Sequence, residues 1–534
     1  VNGPFSRIKR LEDSDGDGRY DTSTIFTEEM PFVNGVMPWG NGILATKAPD
    51  ILYFEDTTGD GVADLRRVVL TGFAVTNPQL RVSSLRYGLD NWIYGAYSRA
   101  SAGRGFPEHA DTGHPLTFPG QSEADSVAIS PGTNFRFRPD SFQVEPAGGM
   151  SQFGLSLDKE GNRFAVWNND HIRHIVIDHR YTERNPWFSI PSQMASIAAH
   201  GGAPAIYPIT EGGLELHESE IGHITSACGI SVYTGHLFKN GYNDATFVCE
   251  PANNLVHVDL LSVDGASFSA GRDREGAEFL ASTDSWFRPV NTTVGPDGAL
   301  YVVDMYRKLI EPPAWIPHKD EEGFHTHAGT LQLEDFHEGQ GLGRIYRVVP
   351  DEGASQDPVV PRLRSAGVEE LVSHLFHPVM WWRLTAQRLL VSEGDRSAVP
   401  ALEELLMESH SDVAKMHALW TLEGLESLDE HQILEALEDD HATVRKQAVI
   451  LSESRLESDE IVQKLLAMTG DPDDHVQFQV ALTLTGLPNS QTFEPLQPLA
   501  QKHIDDSWFR TAILLNASDN ALAWFQALFM DEGV

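Results

Sequence analysis

Up to about residue 350 the apolar positions alternate with polar ones in short runs bounded by Gly, Pro, Asn and Asp. Beyond about Val368 they recur at helical spacing in segments rich in Leu, Ala and Glu. The clearest hairpin runs from Val290–Val294 through the turn Gly295-Pro296-Asp297-Gly298 to Ala299–Val303. Pro296 presets φ for the first corner of that turn and Gly298 tolerates positive φ, so the two apolar runs can pair. Weaker copies occur at Trp39–Leu44, Gly88–Tyr94 and Asp158–Phe164, each placing a turn before an apolar strand. Repetition of this kind predicts four-stranded blades set radially. The expected blades close over residues 1–12 and span 25–56, 65–140, 148–180, 225–265 and 285–350, with a loop insertion at 98–125. The last run, Gly343–Val349, echoes the opening Ser6–Leu11. The fold class expected is therefore an all-β six-bladed β-propeller with an incomplete first blade. The stretch 184–222, long and without periodicity, is expected to be an insertion over one face that shapes a binding site.

After the Pro-rich linker Asp357–Arg362 a different repeat begins. Arg383, Lys415, Arg445 and Arg510 each sit early in an apolar helical segment, and the first steps are 32 residues (Arg383 to Lys415) and 30 (Lys415 to Arg445). Paired helices of a HEAT-like α-solenoid have that period. Acidic residues before these segments, as in Asp440-His-Ala-Thr-Val-Arg445, supply N-caps. The division expected is a propeller over 1–350, a linker over 351–366 and a solenoid over 367–534 that serves as a docking platform for a protein partner.

Two acidic loops stand out between the first strands, Asp13–Asp21 and Asp56–Asp64, 43 residues apart from Asp13 to Asp56. Their first nine positions resemble an EF-hand calcium loop. Carboxylates at Asp13, Asp15, Asp17 and Asp21, and at Asp56, Asp60 and Asp64, can converge on a hard cation, a Gly makes the bend, and the carbonyl of Arg19 or Val62 completes that side. Thr24 and Leu65 stand where a bidentate Glu closes an EF-hand, and Thr58 replaces one carboxylate. A structural calcium clip between blades is expected, rather than a helix-loop-helix sensor.

Charge narrows the partners. The balance of 39 basic and 77 acidic residues gives −38, spread through both halves, which argues against nucleic acid and anionic membrane surfaces. No apolar run approaches the roughly 20 residues of a membrane helix. The chain opens at Val1, within what reads as an outer strand, and upstream sequence is expected. Cys228 and Cys249 fall on neighbouring expected strands, where a disulfide and two buried thiols are both compatible with the spacing. Neither belongs to a CxxC pair.

Several propeller segments resemble a known family: Leu11–Asp21, Thr71-Gly-Phe73, Gly88–Gly95, Phe247-Val-Cys-Glu-Pro251, Asn254-Leu-Val-His257, and Trp286–Pro289 through Asp304-Met-Tyr-Arg307. They resemble the membrane-bound dehydrogenases of planctomycetes and verrucomicrobia, in which a propeller similar to quinoprotein glucose and sorbosone dehydrogenases precedes HEAT-like repeats and a c-type cytochrome. The resemblance implies a periplasmic or secreted oxidoreductase, membrane-associated through further segments, that uses pyrroloquinoline quinone (PQQ) and Ca2+ to oxidise a sugar or polyol and passes electrons to a cytochrome c. Two departures are visible. No CxxCH haem motif is present, and Leu80 occupies the position where those relatives carry the histidine base, with Ser83 in place of an Asn.

Oxidation of a hydroxyl by a quinone needs a base, a polarising cation and groups that hold the cofactor's carboxylates. His223, or His171, is a candidate base. Arg288 and Arg307 are candidate carboxylate clamps, with Asp304 beside them. Gln152, Asn168 and Asn169, with Arg288, are candidate cofactor contacts. The competing class is a non-catalytic, calcium-stiffened scaffold that binds a carbohydrate or a protein, and Leu80 favours it. A lyase propeller fits the acidic balance less well.

Overall fold

The structure is a computed structural model, and it describes residues 5–75, 77–98, 113–210, 221–238, 241–310, 338–339, 341–351, 359–518 and 520–529. Five antiparallel sheets follow one another along the chain as the blades of a β-propeller. The first runs Gly35–Trp39, Gly42–Lys47, Asp50–Glu55, Leu65–Thr71. The second runs Ser83–Tyr87, Ile93–Ala96, Phe135–Arg138, Gln143–Pro146, and the third Gly154–Leu157, Arg163–Trp167, Asp170–Ile175, Met194–Ser196. The fourth runs Ile230–Val232, Thr246–Glu250, Leu255–Asp264, Ser267–Arg272, with Leu280–Ala281 also paired to its third strand; the fifth runs Pro289–Val294, Leu300–Asp304, Arg344–Val348. The hairpin around Gly295–Gly298 forms in the expected register, Val294 opposite Leu300. A two-stranded ribbon, Ser6–Glu12 with Thr22–Met30, precedes the blades and packs Met30 against Ala45, Leu52 and Phe54 of the first.

Strand pairing corrects two of the expected spans. Leu65–Thr71 is the fourth strand of the first blade, with Leu52 opposite Val68, and does not begin the next blade. Thr22–Met30 pairs with Ser6–Glu12 and not with the strands after it. The physical reason lies in the acidic loops. Asp21 N donates to Glu12 O at 3.1 Å and Asp64 N to Glu55 O at 3.1 Å, so each loop is a hairpin connection within one sheet, and the second also reaches the neighbouring ribbon through Ala63 N to Phe26 O at 2.8 Å. Half of the insertion expected at 98–125, residues 99–112, lies outside the described residues.

The first strand of every blade lines the central axis, and each lies beside the first strand of the next from blade one to blade five. Crowding there selects glycine. A Cβ on Gly229 would meet Asn291 Cα at 2.5 Å, and one on Gly154 would meet Ile230 N at 3.0 Å. Side chains stitch the same strands together, Ser84 Oγ donating to Phe153 O at 2.9 Å and Ser156 Oγ accepting from Val232 N at 2.9 Å.

From Val368 to Phe529 the described chain is helical, without a helix long and apolar enough to cross a membrane. Helices Met380–Glu393, Asp412–Gly424, Ala442–Leu451, Asp474–Thr483 and Ser507–Leu515 stack side by side, each next to the one before. Side-chain caps start several of them, Ser411 accepting from Ala414 N and Asp473 from Val476 N. The recurring basic residue makes the same contact in three of these helices. Arg383, Arg445 and Arg510 each donate to a backbone carbonyl just before their own helix, at 2.6 to 2.9 Å, and Arg445 also grips Asp471 in the following turn at 2.8 Å.

This stack lies against the turns that join first to second strands in the blades. Trp382 Nε1 donates to Pro296 O at 2.7 Å, Gln447 Nε2 to Glu160 O at 2.8 Å, and Lys446 Nζ to Asn162 Oδ1 at 2.8 Å. At its centre Gln387, fully buried, donates to Leu89 O and to Asn91 Oδ1 at 2.7 Å each, while its own oxygen lies 2.6 Å from His417 Nδ1. One apolar core spans both parts, joining Leu89, Val176, Tyr181 and Ala266 to Leu390, Leu419 and Phe478. Gln387→Ala removes three buried hydrogen bonds and orphans His417, and each orphaned buried group costs about 1–3 kcal/mol. The variant is expected to unfold at a clearly lower urea midpoint than wild type, in a circular dichroism titration that follows the helical and strand signals together.

Candidate functional site

Two spaces lie along the axis of the propeller, and a helix of the second region faces one of them. On that side, Met380, Trp381, Leu384 and Arg388 of helix Met380–Glu393 face Pro38, Tyr87 and Thr293 across a space of about 290 Å3. On the opposite face, where the first strands of the blades begin, lies a larger cavity of about 590 Å3. All five blades contribute to it. Gly35, Ser83, Phe153, Cys228 and Asn291 all come from the entry of a first strand.

Two arginines give this cavity its charge. Arg86, on the inner strand of the second blade, lines both spaces, and its Nη1 donates to Leu85 O at 3.1 Å. Among the described residues no carboxylate lies within ion-pair distance of it, and burial lowers its pKa. Arg81, buried just before that strand, lays its guanidinium 4.7 Å from the centre of the Phe32 ring, and burial lowers its pKa as well. Around them the lining is amide and hydroxyl: Gln152, Asn168, Asn291, Ser84 and Ser226 among others. No Asp, Glu, His, Lys or Tyr lines the cavity among the described residues. In a chain of net charge −38 this is a locally cationic, hydrogen-bonding chamber.

The fourth blade holds one wall of it through a buried acid. Glu250, with no exposed surface, accepts from Thr225 N, from Ser226 N at 3.0 Å, from Ser226 Oγ at 2.5 Å and from Asn253 Nδ2 at 3.2 Å. Desolvation outweighs these donors and pushes its pKa up to about 7. Cys228, at the end of the same loop, points its thiol at Cys249 O, 3.7 Å away, and both cysteines are free thiols. Burial raises both thiols well above their usual range, so neither is a thiolate at neutral pH.

The residues singled out in the sequence are divided by the fold. Gln152 and Asn168 line the cavity, with Gln152 Oε1 accepting from Asn168 N at 3.4 Å. Asn169 is exposed, and its carbonyl accepts from Ala203 N. Arg288 is buried outside the lining, where it ties loops together. Its Nε donates to Arg307 O at 3.1 Å, Nη1 to Pro251 O at 2.8 Å and to Ala252 O at 3.2 Å, and Nη2 to Lys308 O at 2.8 Å. Asp304 Oδ1 accepts from the backbone N of Arg288 and of Tyr306 at 2.8 Å each. Arg307 is half-buried and His223 exposed, and neither lines the cavity. Leu80 is buried in the short turn Pro78–Leu80 and leaves Gln79 and Arg81 on either side to face the cavity. Arg86 was missed because an arginine inside an alternating strand looks like any outward-facing charge. Its neighbours Ser83 and Ser84 were the available signal, since a strand polar on both faces can line an axis.

In the acidic loops, Asp13, Asp15 and Asp17 bring carboxylate oxygens within 4.8 Å of one another. Asp13 accepts from Gly16 N at 2.7 Å and Gly18 N at 2.9 Å, and Asp56 repeats this with Gly59 N and Gly61 N at 2.7 Å each. Asp21 and Asp64, at the ninth position, instead bind back to Ser14 and Thr57. Arg19 N donates to Asp17 Oδ1 and Val62 N to Asp60 Oδ1.

Comparison with known proteins gives a family. The family described as DUF7133, a domain of unknown function, matches residues 1–352. No curated protein matches the chain significantly. Among solved structures it is similar to a carbohydrate-active enzyme of family AA12 from Trichoderma reesei in its calcium form, with 12% identity over 57% of this chain and 90% of that one and a TM-score of 0.33. It is similar to the holo pyranose dehydrogenase PQQ domain from Coprinopsis cinerea, 13% identical over 57% and 91% with a TM-score of 0.28. The PQQ-bound aldose sugar dehydrogenase from Streptomyces coelicolor gives 15% identity over 57% and 88% and a TM-score of 0.29. Likeness at this level carries no argument about activity.

The raised pKa of Glu250 makes stability depend on pH. Its folded value, about 7, lies above the ordinary 4.5, so the native state holds a proton that the unfolded chain has released between those values. This contribution to stability is lost as pH rises through that window, at up to about 1.4 kcal/mol per pH unit. Glu250→Gln is expected to be less stable than wild type at acidic pH, because its amide faces donors, and to lose less stability between about pH 5 and 7.5, measured as urea midpoints at both ends.

Proposed function

The chain belongs to the DUF7133 family, and we propose that its propeller is a quinoprotein-like ligand-binding module whose larger cavity takes a carboxylate-bearing small molecule against Arg86 and Arg81. PQQ is the candidate that the sequence resemblance implies. The observation that carries this reading is the half-buried charge of Arg86 in a polar chamber that no carboxylate lines among the described residues. Such a charge is costly without a counter-ion, and an anionic ligand that supplies one binds with that cost already met by folding. Bound there, the quinone would supply the two-electron acceptor for oxidising a sugar or polyol hydroxyl. The described residues fit the cofactor's carboxylates, with Arg81 and Arg86 as cations and Gln152, Asn168 and Asn291 as hydrogen-bonding groups. They offer no group that could accept the hydroxyl proton. His223, Arg288, Arg307 and Asp304 stand away from the lining, so no proton-transfer step is assigned to this chain.

That observation supports a second reading, in which the cavity binds a carbohydrate acid or the quinone without oxidation. The buried Leu80 favours it. The remaining parts of the proposal rest on the sequence: an extracytoplasmic setting, a c-type cytochrome as acceptor, and a division into propeller 1–350, linker 351–366 and HEAT-like solenoid 367–534 that offers its outer face to a protein partner. The N-terminal ribbon is proposed as the outer pair of a sixth blade, supported by its packing on the face of blade one that is turned away from blade two.

Titration of the calcium-loaded protein with PQQ, followed by absorbance and calorimetry, tests the cavity, and dye-linked turnover on a sugar and polyol panel tests oxidation. Binding that weakens about tenfold or more in Arg86→Met, a loss of at least about 1.4 kcal/mol, is expected. Binding without turnover selects the second reading, and no binding removes PQQ from both. Calcium is proposed at the first acidic loop, with the second, which has Thr58 in place of a carboxylate, binding more weakly. Added Ca2+ is expected to raise the melting temperature, and Asp15→Asn with Asp17→Asn to abolish most of that increase, read by differential scanning fluorimetry against chelator controls.

A further inference from the structure

Away from the channel cavity, three histidines converge on one buried carboxylate. His171 lies on the third strand of the third blade, His257 and Asp259 on the third strand of the fourth, and His200 on the segment that leaves the third blade. His171 Nε2 lies 2.7 Å from Asp259 Oδ2, His257 Nε2 lies 3.2 Å and His200 Nε2 3.9 Å from Asp259 Oδ1. One ligand atom from each of the four lies within 4.8 Å of all the others. His171, His257 and Asp259 are buried, and His200 keeps 17% of its side chain exposed, although its Nε2 is buried and has no hydrogen-bond partner.

Glu278, itself buried, holds Nδ1 of His257 at 2.7 Å, so the proton belongs on that nitrogen and the lone pair on Nε2 faces Asp259. Only a second proton on His257, or a cation, makes that contact favourable. Nε2 of His200 is buried without a hydrogen-bond partner and faces the same point, so its lone pair is free for a cation. A carboxylate on the far nitrogen of a ligating imidazole is the usual orienting partner of a metal-bound histidine, and Glu278 occupies that place. Arg272 Nη1 stands 3.6 Å from Glu278 and balances its charge.

We propose that His171, His200, His257 and Asp259 bind one first-row divalent cation, zinc by the nature of the ligand set, as a structural pin between the third blade, the fourth blade and the segment joining them. Three imidazoles and one carboxylate make a complete tetrahedral set, and bonds of about 2.0–2.1 Å place ligand atoms about 3.3 Å apart. The cluster brackets that separation, from 2.7 to 4.8 Å. Four protein ligands leave no open position, which marks a site that holds strands together and does no chemistry. The pin would fix the path of the joining segment, which already runs beside the fourth blade through Ala199 N to Ala270 O at 2.9 Å and Ala270 N to Ile197 O at 2.8 Å.

The test uses the tag-free full-length chain, stripped with a chelator and titrated with cobalt(II). The expected result is one cobalt per chain with the intense visible absorption of a four-coordinate nitrogen and oxygen site, displaced by one equivalent of zinc, and a higher melting temperature with zinc. Cobalt taken up by the oxygen-only acidic loops gives a weak six-coordinate spectrum and is told apart. His200→Ala, at the one partly exposed ligand, is expected to keep its circular dichroism and lose the spectrum, while Glu278→Gln keeps the spectrum and weakens binding about tenfold. The absence of a four-coordinate spectrum in wild type, or its persistence in His200→Ala and His257→Gln, overturns the proposal.

Discussion

The docking of the helical stack on the turns of the blades is the constraint from which the rest follows. Gln387, fully buried, satisfies Leu89 O and Asn91, and the apolar core around it runs without a break from Leu89 and Tyr181 into Leu390 and Leu419. A propeller axis is normally open at both ends. Here helix Met380–Glu393 faces the smaller space at one of them, and the larger space lies on the face where the first strands begin. The two ends of the axis thus differ because of the second region, none of whose described residues lines the larger cavity.

Inside that cavity the electrostatics run against the protein as a whole. The surface carries a large excess of acid, yet Arg81 and Arg86 line a chamber without a carboxylate among its described residues. Low-dielectric walls strengthen the field of such a pair on an anion that has left water. The same walls hold Glu250 at a raised pKa and keep both cysteines protonated, so the groups nearest the chamber that could act as bases or nucleophiles are committed to structure. The chamber is therefore built for binding more plainly than for proton transfer.

The histidine cluster lies elsewhere and has a different logic. The chamber brings Arg81 and Arg86 together with no acid among its described lining residues, whereas the junction of the third and fourth blades gathers three imidazoles around an acid with a second acid behind. Both arrangements leave a charge or a set of lone pairs that a bound partner would complete. They concern different ligands, an anion on the axis and a metal ion at a blade junction.

The alternation of apolar residues, the Gly295–Gly298 turn and the step from Asp13 to Asp56 determined that this chain begins with repeated antiparallel sheets. The helical spacing after Val368 determined that it ends in stacked helices. These are local properties, because strand and helix periods are written in neighbouring residues. The sheet to which Leu65–Thr71 belongs was settled by pairing, since a strand's partner depends on how the loop before it closes, and Asp64 binds back to Thr57. The role of Arg288 was likewise out of reach. An arginine beside Asp304 suggests an ion pair or a ligand clamp, and only the fold brings the carbonyls of Pro251, Ala252, Arg307 and Lys308 around its guanidinium. His171, His200 and Asp259 are separated by dozens of residues and share no motif, so their meeting exists only in three dimensions. Periods along a strand or helix are set by the residues within it, whereas a site made of single residues from different blades is decided by how the blades close around their axis.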